Sequence, residues 1–219
     1  MARSHYEHEL EHLHVEIIKM GSLIEGAIED STRAFASHDL ALCARIIRRD
    51  QTIDEMEKAI ESRCLWLIAR EQPVASDLRK ITTALKMVTD MERIGDNAAD
   101  IAELTMRIAE KNVFSDSGHI LQMAGAAMLM VRDAVSSYVH TDLVLARDTQ
   151  RRDDEVDAYF NLIKRELVHV FKADESHLDN AIDLLLIAKY LERIADHAVN
   201  ICEWVEFSVT GTHKSAQIF

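Results

Sequence analysis

The side chains best suited to chemistry in this chain of 219 residues are carboxylates that occur in pairs four positions apart. The four pairs are Asp50/Asp54, Glu92/Asp96, Asp153/Asp157 and Glu192/Asp196. On an α-helix this spacing places both side chains on one face, with their Cβ atoms about 5 to 6 Å apart. Like charges held this close repel each other, so each pair costs stability unless a cation or a basic side chain neutralises it.

Carboxylate oxygens are ligands for hard and borderline divalent cations, and the pairs therefore predict sites for divalent Fe, Zn, Mn or Mg. Asp100 and Asn200 lie four residues beyond Asp96 and Asp196 and are candidates for additional oxygen ligands. The alternative is that these acids form salt bridges with nearby arginines, namely Arg48, Arg49, Arg93, Arg151, Arg152 and Arg193. Recurrence of both kinds of pair in both halves of the chain favours metal.

The acidic pairs lie within an internal repeat. At an offset of 103, residues 35–54 share seven of twenty identities with residues 138–157, including the Arg-Arg-Asp-x-x-x-Asp run. At an offset of 100, residues 91–103 share seven of thirteen with residues 191–203. Self-similarity at a fixed period is typical of duplicated structural units, so two equivalent halves are expected.

Residues that break helices divide each half into three helices. The expected helices run from near the N-terminus to Ser37, from Leu40 to Arg70, and from just after Pro73 to Lys111. In the second half the breaks fall at Phe114 to Gly118, His140 to Asp142, Lys172 to Ser176 and Thr210-Gly211. Short connections make consecutive helices antiparallel neighbours. The sequence predicts an all-α protein of six long helices in two antiparallel three-helix bundles, with domains at 1–113 and 114–211 and a tail at 212–219.

Composition restricts the class of function. A formal charge of −13 argues against a nucleic-acid partner, since binding to phosphate backbones needs clustered Lys and Arg. The three cysteines Cys43, Cys64 and Cys202 lie in apolar helical patterns, which indicates reduced core residues. No signal sequence and no stretch of about 18 apolar residues occurs, so we expect a cytoplasmic protein that reaches membranes only through partners.

Histidines are concentrated at the start of the chain, at positions 5, 8, 12 and 14. We interpret them as a solvated helix face, with a metal role as the alternative. His197 follows Asp196 directly but points more than about 100° away from the acidic row, which indicates a surface or interface position.

Several segments resemble the PhoU family along nearly the whole chain. They are RRDQTID, EQPVASDLRKITTALKMVTDMERIGDNAADIAE, RRDDEVD and KYLERIADHAVNICEWVEFSVTG. The family's motif of an acidic residue followed four positions later by Asp matches all four pairs. Ala195 departs from the Gly that the family's ERIGD segment commonly has in both halves, but the acids are intact.

The resemblance implies two three-helix bundles, metal ions or multinuclear clusters on the acidic motifs, and a homodimer. It also implies a protein with no catalytic residues that represses the phosphate-starvation response when phosphate is plentiful. The implied partners are the ATPase subunit of the phosphate ABC transporter and the phosphate sensor histidine kinase.

Two other functions remain alternatives. A di-iron or ferritin-like helical enzyme would use Glu-x-x-His motifs, which occur at Glu9/His12, Glu11/His14 and Glu166/His169. These motifs occupy helices that are not equivalent in the two halves. The second alternative is a helical scaffold that binds no metal.

Overall fold

The structure is a computed structural model that describes residues 2–111, 118–173, 178–213 and 216–217. The described residues form seven helices: α1 Ala2–Ser37, α2 Leu40–Glu71, α3 Ala75–Lys111, α4 Gly118–His140, α5 Leu143–Arg151, α6 Asp153–Ala173 and α7 Leu178–Thr210. A two-residue antiparallel ribbon, β1 Thr212–His213 with β2 Ala216–Gln217, follows α7. The all-α class is thus confirmed. The breaks expected at 114–118 and 172–176 lie largely outside the described residues.

Helix starts are set by the same residue type in both halves. Asp39 Oδ1 accepts a hydrogen bond from Leu42 N at 2.9 Å, and this caps α2. Asp142 Oδ1 accepts from the backbone N–H groups of Val144 and Leu145, and this caps α5. An aspartate in this position satisfies backbone donors that the first helical turn leaves free.

The expected fifth helix is interrupted at Arg152, which separates α5 from α6. The chain tightens there, because Arg152 N donates to Thr149 O and Glu155 N donates to Arg152 O, both at 3.0 Å and both spanning three residues. Three acidic residues then open α6, at positions 153–155. Negative charge is favourable at a helix N-terminus, which is a physical reason for α6 to begin anew here.

Contacts between helices group α1, α2 and α3 into one bundle and α4, α5, α6 and α7 into the other. The two groups also pack together, through α3 against α7 and α1 against α4. Helices α3 and α7 are antiparallel, since Arg107 pairs with Asp183 while Thr83 Oγ1 donates to Trp204 O at 3.4 Å. One buried apolar core runs through helices of both bundles. The division into domains at 1–113 and 114–211 stays a prediction.

Two further expectations concern exposure. Cys43, Cys64 and Cys202 are buried and form no disulfide, as predicted. Within the described ranges, every helix is too short or too polar to span a bilayer. The start of the tail packs on α7, where the His213 ring stacks on Trp204 with centroids 3.9 Å apart.

Candidate metal centre

The first two acidic pairs face each other across the contact between α2 and α3. Asp50 and Asp54 flank the buried Ile53 on α2, and Asp96 follows directly after the buried Ile94-Gly95 of α3. The hydrophobic residues bury one side of each helix and hold the acids at its edge. The carboxylates therefore lie beside the core rather than on the opposite, solvent-facing side of each helix.

A glycine allows the two helices to approach closely at this level. A Cβ atom placed on Gly95 would lie 2.8 Å from Ile53 Cδ1, 3.1 Å from Ile53 Cγ2 and 3.3 Å from Asp50 Oδ1. Contacts under 3.0 Å require something to move, so only glycine fits this arrangement as it stands. Sequence reasoning noticed this glycine as part of a motif but did not identify its packing role.

Three carboxylates converge as a result. Asp50, Asp54 and Asp96 each present an oxygen within 4.8 Å of the other two. In the described ranges this is the one group of His, Cys, Asp or Glu side chains that meets this distance. Such spacing allows the three oxygens to bind a single divalent cation.

Two of these oxygens have no partner. Asp50 Oδ1 and Asp54 Oδ1 are shielded from solvent and form no hydrogen bond. A buried carboxylate oxygen without a partner is costly, and a cation is the group that would satisfy two such oxygens at once. The donor set therefore fits a divalent metal ion.

The pKa values of these carboxyl groups also show that the folded protein opposes their ionisation. Burial, and then the negative charges of Asp96, Asp54 and Asp100, raise the pKa of Asp50 to about 6. Burial also raises the pKa of Glu92, with a further contribution from Asp96. The pKa of each group is raised because the folded protein disfavours its ionised form, and a bound cation would reverse this effect.

The salt-bridge alternative accounts for part of the cluster. Arg93 donates to Asp96 Oδ2 at 2.9 Å and lies 3.3 Å from Glu92 Oε2 without forming a hydrogen bond to that oxygen. Arg49 pairs instead with Asp30 at 3.1 Å. These arginines donate no hydrogen bond to the buried oxygens of Asp50 and Asp54. The salt-bridge alternative therefore leaves those two oxygens without a partner, and a metal ion would provide one.

The second half repeats the sequence but not the convergence. Asp153 is half-buried, and burial followed by the charges of Asp196 and Asp157 raises its pKa to about 6. Asp157 and Asp196 are exposed, and Glu192 pairs with Lys189 of its own helix. A metal site built on these four acids stays a prediction, with less support from the geometry than the first.

The two additional candidates lie at the contact between α3 and α7. Asp100 accepts a hydrogen bond from Tyr190, and burial raises its pKa. Asn200 donates to Asp90 Oδ1 at 3.1 Å, and His197 Nδ1 lies 2.9 Å from the same oxygen. The sequence predicts a surface or interface position for His197, and this contact lies at an interface. Asp90 was not identified from the sequence, and it has no acidic counterpart at the equivalent position, Tyr190, of the second half.

The Glu-x-x-His motifs do not assemble a common site. Glu9 accepts from Arg63 Nη1 at 2.7 Å. Glu166 contacts His119 on α4, with 2.8 Å between Oε1 and Nδ1. Each of these two glutamates thus faces a basic side chain on another helix, and they lie in different bundles.

Comparison with known proteins gives one family. A family model described as "PhoU domain" matches twice, at residues 17–105 and 120–205. A "Phosphate-specific transport system accessory protein PhoU homolog" of Clostridium acetobutylicum is 38% identical over 212 residues, which cover 96% of this chain and 97% of that protein. The homolog of the same description in Caulobacter vibrioides is 34% identical over 213 residues, or 97% and 93% of the two chains.

Solved structures agree with the sequence comparison. The crystal structure of PhoU from Pseudomonas aeruginosa matches with a TM-score of 0.91 and 32% identity, over 94% of this chain and 100% of that one. The phosphate transport system regulatory protein PhoU from Streptococcus pneumoniae matches with a TM-score of 0.88 and 28% identity, over 94% and 98%. These relatives are named as accessory and regulatory proteins rather than enzymes.

Proposed function

The chain belongs to the PhoU family, and on that premise we propose that it is a metal-binding negative regulator of phosphate uptake and of the phosphate-starvation two-component response. The observation that carries this proposal is the match of both repeats, over nearly the full chain, to phosphate-transport accessory proteins. Regulation by such a protein acts through binding to other proteins, because the fold supplies helical faces for docking.

The proposed partners are the ATPase subunit of the phosphate ABC transporter and the phosphate sensor histidine kinase. We place the protein in the cytoplasm as a homodimer that reaches the membrane through these partners. The charge of −13 supports protein or metal partners over nucleic acid.

The metal part of the proposal rests on the carboxylates between α2 and α3. Asp50, Asp54 and Asp96 would hold a divalent cation, and Glu92 is the adjacent candidate. A cation there would supply positive charge between two helices whose acids otherwise repel. The residues around it, Ile53 and Gly95, keep the helices close and shield the acids from water.

Co-purification tests the regulatory role. The tagged protein is recovered from cells grown in high and in low phosphate, and its interactors are identified by mass spectrometry. We expect the transporter ATPase or the sensor kinase among them, and a deletion strain should express phosphate-starvation genes even in high phosphate. Absence of both partners under both conditions, with normal repression in the deletion strain, would contradict the proposal.

Metal analysis tests the site separately. Protein purified without chelator should contain a divalent metal, and Asp54→Asn should reduce the bound amount at least several-fold because it replaces a charged carboxylate ligand with a neutral amide. Glu55→Gln is the matched control, since Glu55 is exposed on the same helix and contacts Gln51. Equal metal content in Asp54→Asn and the unmodified protein would refute this site.

A further inference from the structure

The first turns of α1 carry three histidines, His5, His8 and His12, spaced three and four residues apart on one side of the helix. The rings of His8 and His12 lie with their centroids 4.6 Å apart and their planes at 85°. Both side chains are exposed. Two imidazoles one helical turn apart can direct a nitrogen each toward the same point in solvent.

Neighbouring acids on the adjacent side of α1 are already engaged. Arg63 of α2 binds Glu9 at 2.7 Å and Glu16 at 2.7 Å, which ties this part of α1 to α2. The His5 ring stands edge-on to Trp66 of α2 at 6.4 Å. The helix that presents the two imidazoles is thus held in place by contacts that do not use them.

The chemistry of the pair differs from that of the acidic cluster. Imidazole nitrogens suit Zn²⁺, Cu²⁺ and Ni²⁺, whereas carboxylates also suit harder ions such as Mg²⁺ and Mn²⁺ that imidazole binds weakly. Histidines at positions i and i+4 of a helix are the spacing by which helical zinc sites present two ligands to one ion.

We propose that His8 and His12 form a second metal site, which binds a borderline divalent ion such as Zn²⁺ with water completing the coordination. The site is distinct from the acidic cluster. The α1 residues that line the same cavity as Asp50 are Leu23, Ala27 and Asp30. These lie 11 to 18 residues beyond His12, or about 16 to 27 Å along the helix. The ion binds neutral imidazole, so binding weakens in acid.

Zinc titration with a residue-resolved readout tests this proposal. The full-length protein is titrated with Zn²⁺, and the Cε1–H signals of its histidines are followed by NMR. We expect the His8 and His12 signals to move together, and Mg²⁺ at the same concentration to leave them unchanged. Zinc that moves neither signal would overturn the proposal.

Variants identify the ligands. His8→Ala and His12→Ala should each weaken binding at this site at least tenfold, and His12→Gln gives the same test with a side chain closer in size. His169→Ala, which removes a single exposed histidine from α6, is the matched control and should bind like the unmodified protein. Asp54→Asn should also leave these shifts unchanged, so the two metal sites can fail independently. Wild-type affinity in both His8→Ala and His12→Ala would overturn the proposal.

Discussion

The raised pKa values of two carboxyl groups show how strongly the fold disfavours negative charge at these positions. Asp50 combines an unpartnered buried oxygen with a pKa of about 6, because burial and three neighbouring acids oppose its ionisation. Asp153, the equivalent residue, has a pKa of about 6 as well, yet its neighbours Asp157 and Asp196 are exposed. The individual acid is therefore strained in both halves, while the convergence of several acids belongs to the first half.

This strain predicts a pH dependence of stability in metal-free protein. The folded pKa of Asp50 is raised above its ordinary value of 3.8, so its contribution to stability is fully present below about pH 4 and is lost as pH rises toward about 6. After treatment with chelator, Asp50→Asn should raise the melting temperature at pH 7.5 and change it little at pH 4.5. Thermal unfolding by circular dichroism measures both.

The control for this prediction is Glu55→Gln on the exposed side of the same helix. An equal effect of Asp50→Asn at the two pH values would show that the Asp50 carboxyl carries no such penalty. Saturating metal should remove the gain in melting temperature that Asp50→Asn gives at pH 7.5, since the ion favours the carboxylate form of the unmodified protein.

Gly95 and Ile53 form a second residue-scale pair, and the repeat supplies its natural counterpart. The equivalent positions in the second half hold Ala195 and Val156, both fully buried. Valine lacks the Cδ1 atom that a Cβ on Gly95 would meet at 2.8 Å. Where the second half has the larger Ala195 in place of glycine, it thus has the smaller Val156 in place of isoleucine.

We therefore predict coupling between these positions. Gly95→Ala should destabilise the unmodified protein by about 1 to 3 kcal/mol through overpacking. In an Ile53→Val background the same change should be neutral or stabilising, because alanine favours a helix over glycine by about 1 kcal/mol. A double-mutant cycle of urea unfolding free energies measures the difference. Additive effects would contradict the proposed contact.

At the scale of elements, the contact of α3 with α7 is one of the two that join the repeats, beside that of α1 with α4. Their hydrogen bonds follow the repeat symmetry: Asp90 binds Asn200, while Asp100 binds Tyr190. Positions 90 and 190, and positions 100 and 200, are equivalent at the offset of 100. The two contacts therefore join equivalent positions of the two repeats, but they use different side chains.

Asp90 should be the main polar anchor of this contact, since one oxygen meets both His197 and Asn200. Asp90→Ala leaves the partly buried His197 and Asn200 without this acceptor and should cost about 1 to 3 kcal/mol of unfolding free energy. Thr89→Ala, at the exposed neighbouring position, is the control and should stay within about 0.5 kcal/mol. Chemical denaturation measures both. An equal loss of unfolding free energy in the two variants would show that Asp90 does not anchor this contact.

At the scale of the whole molecule, the two bundles share a core. Buried residues of α1 and α3 pack in one cluster with those of α4, α6 and α7. A bundle released from the other would expose the apolar side of α3 or α7 to water. The unit of stability is then the pair of repeats rather than a single one.

This continuity predicts one cooperative unfolding transition for the full chain. Calorimetry of metal-free protein should give a calorimetric enthalpy equal to the van't Hoff enthalpy, which is the test of two-state behaviour. A fragment of residues 1–113 should be much less stable than the intact chain, since it loses the α3–α7 and α1–α4 contacts. Two separate transitions would instead support independent domains.

The sequence by itself determined the all-α class, the repeat, the carboxylate pairs and most helix ends, because these depend on local properties. Helix ends near Asp39, Pro73 and Asp142 follow from capping and from the missing N–H of proline. The break at Arg152 was missed, since a three-residue hydrogen-bond pattern has no clear sequence signal.

Only the tertiary structure decided which acids meet. Helical periodicity places a row of carboxylates at the edge of a core but does not give the distance to the next helix. That distance depends on the contact of Gly95 with Ile53 in one half and on Ala195 and Val156 in the other. The packing of α3 against α7 was likewise visible only in the tertiary structure. An apolar helix face predicts that the face is buried but does not say which helix it packs against.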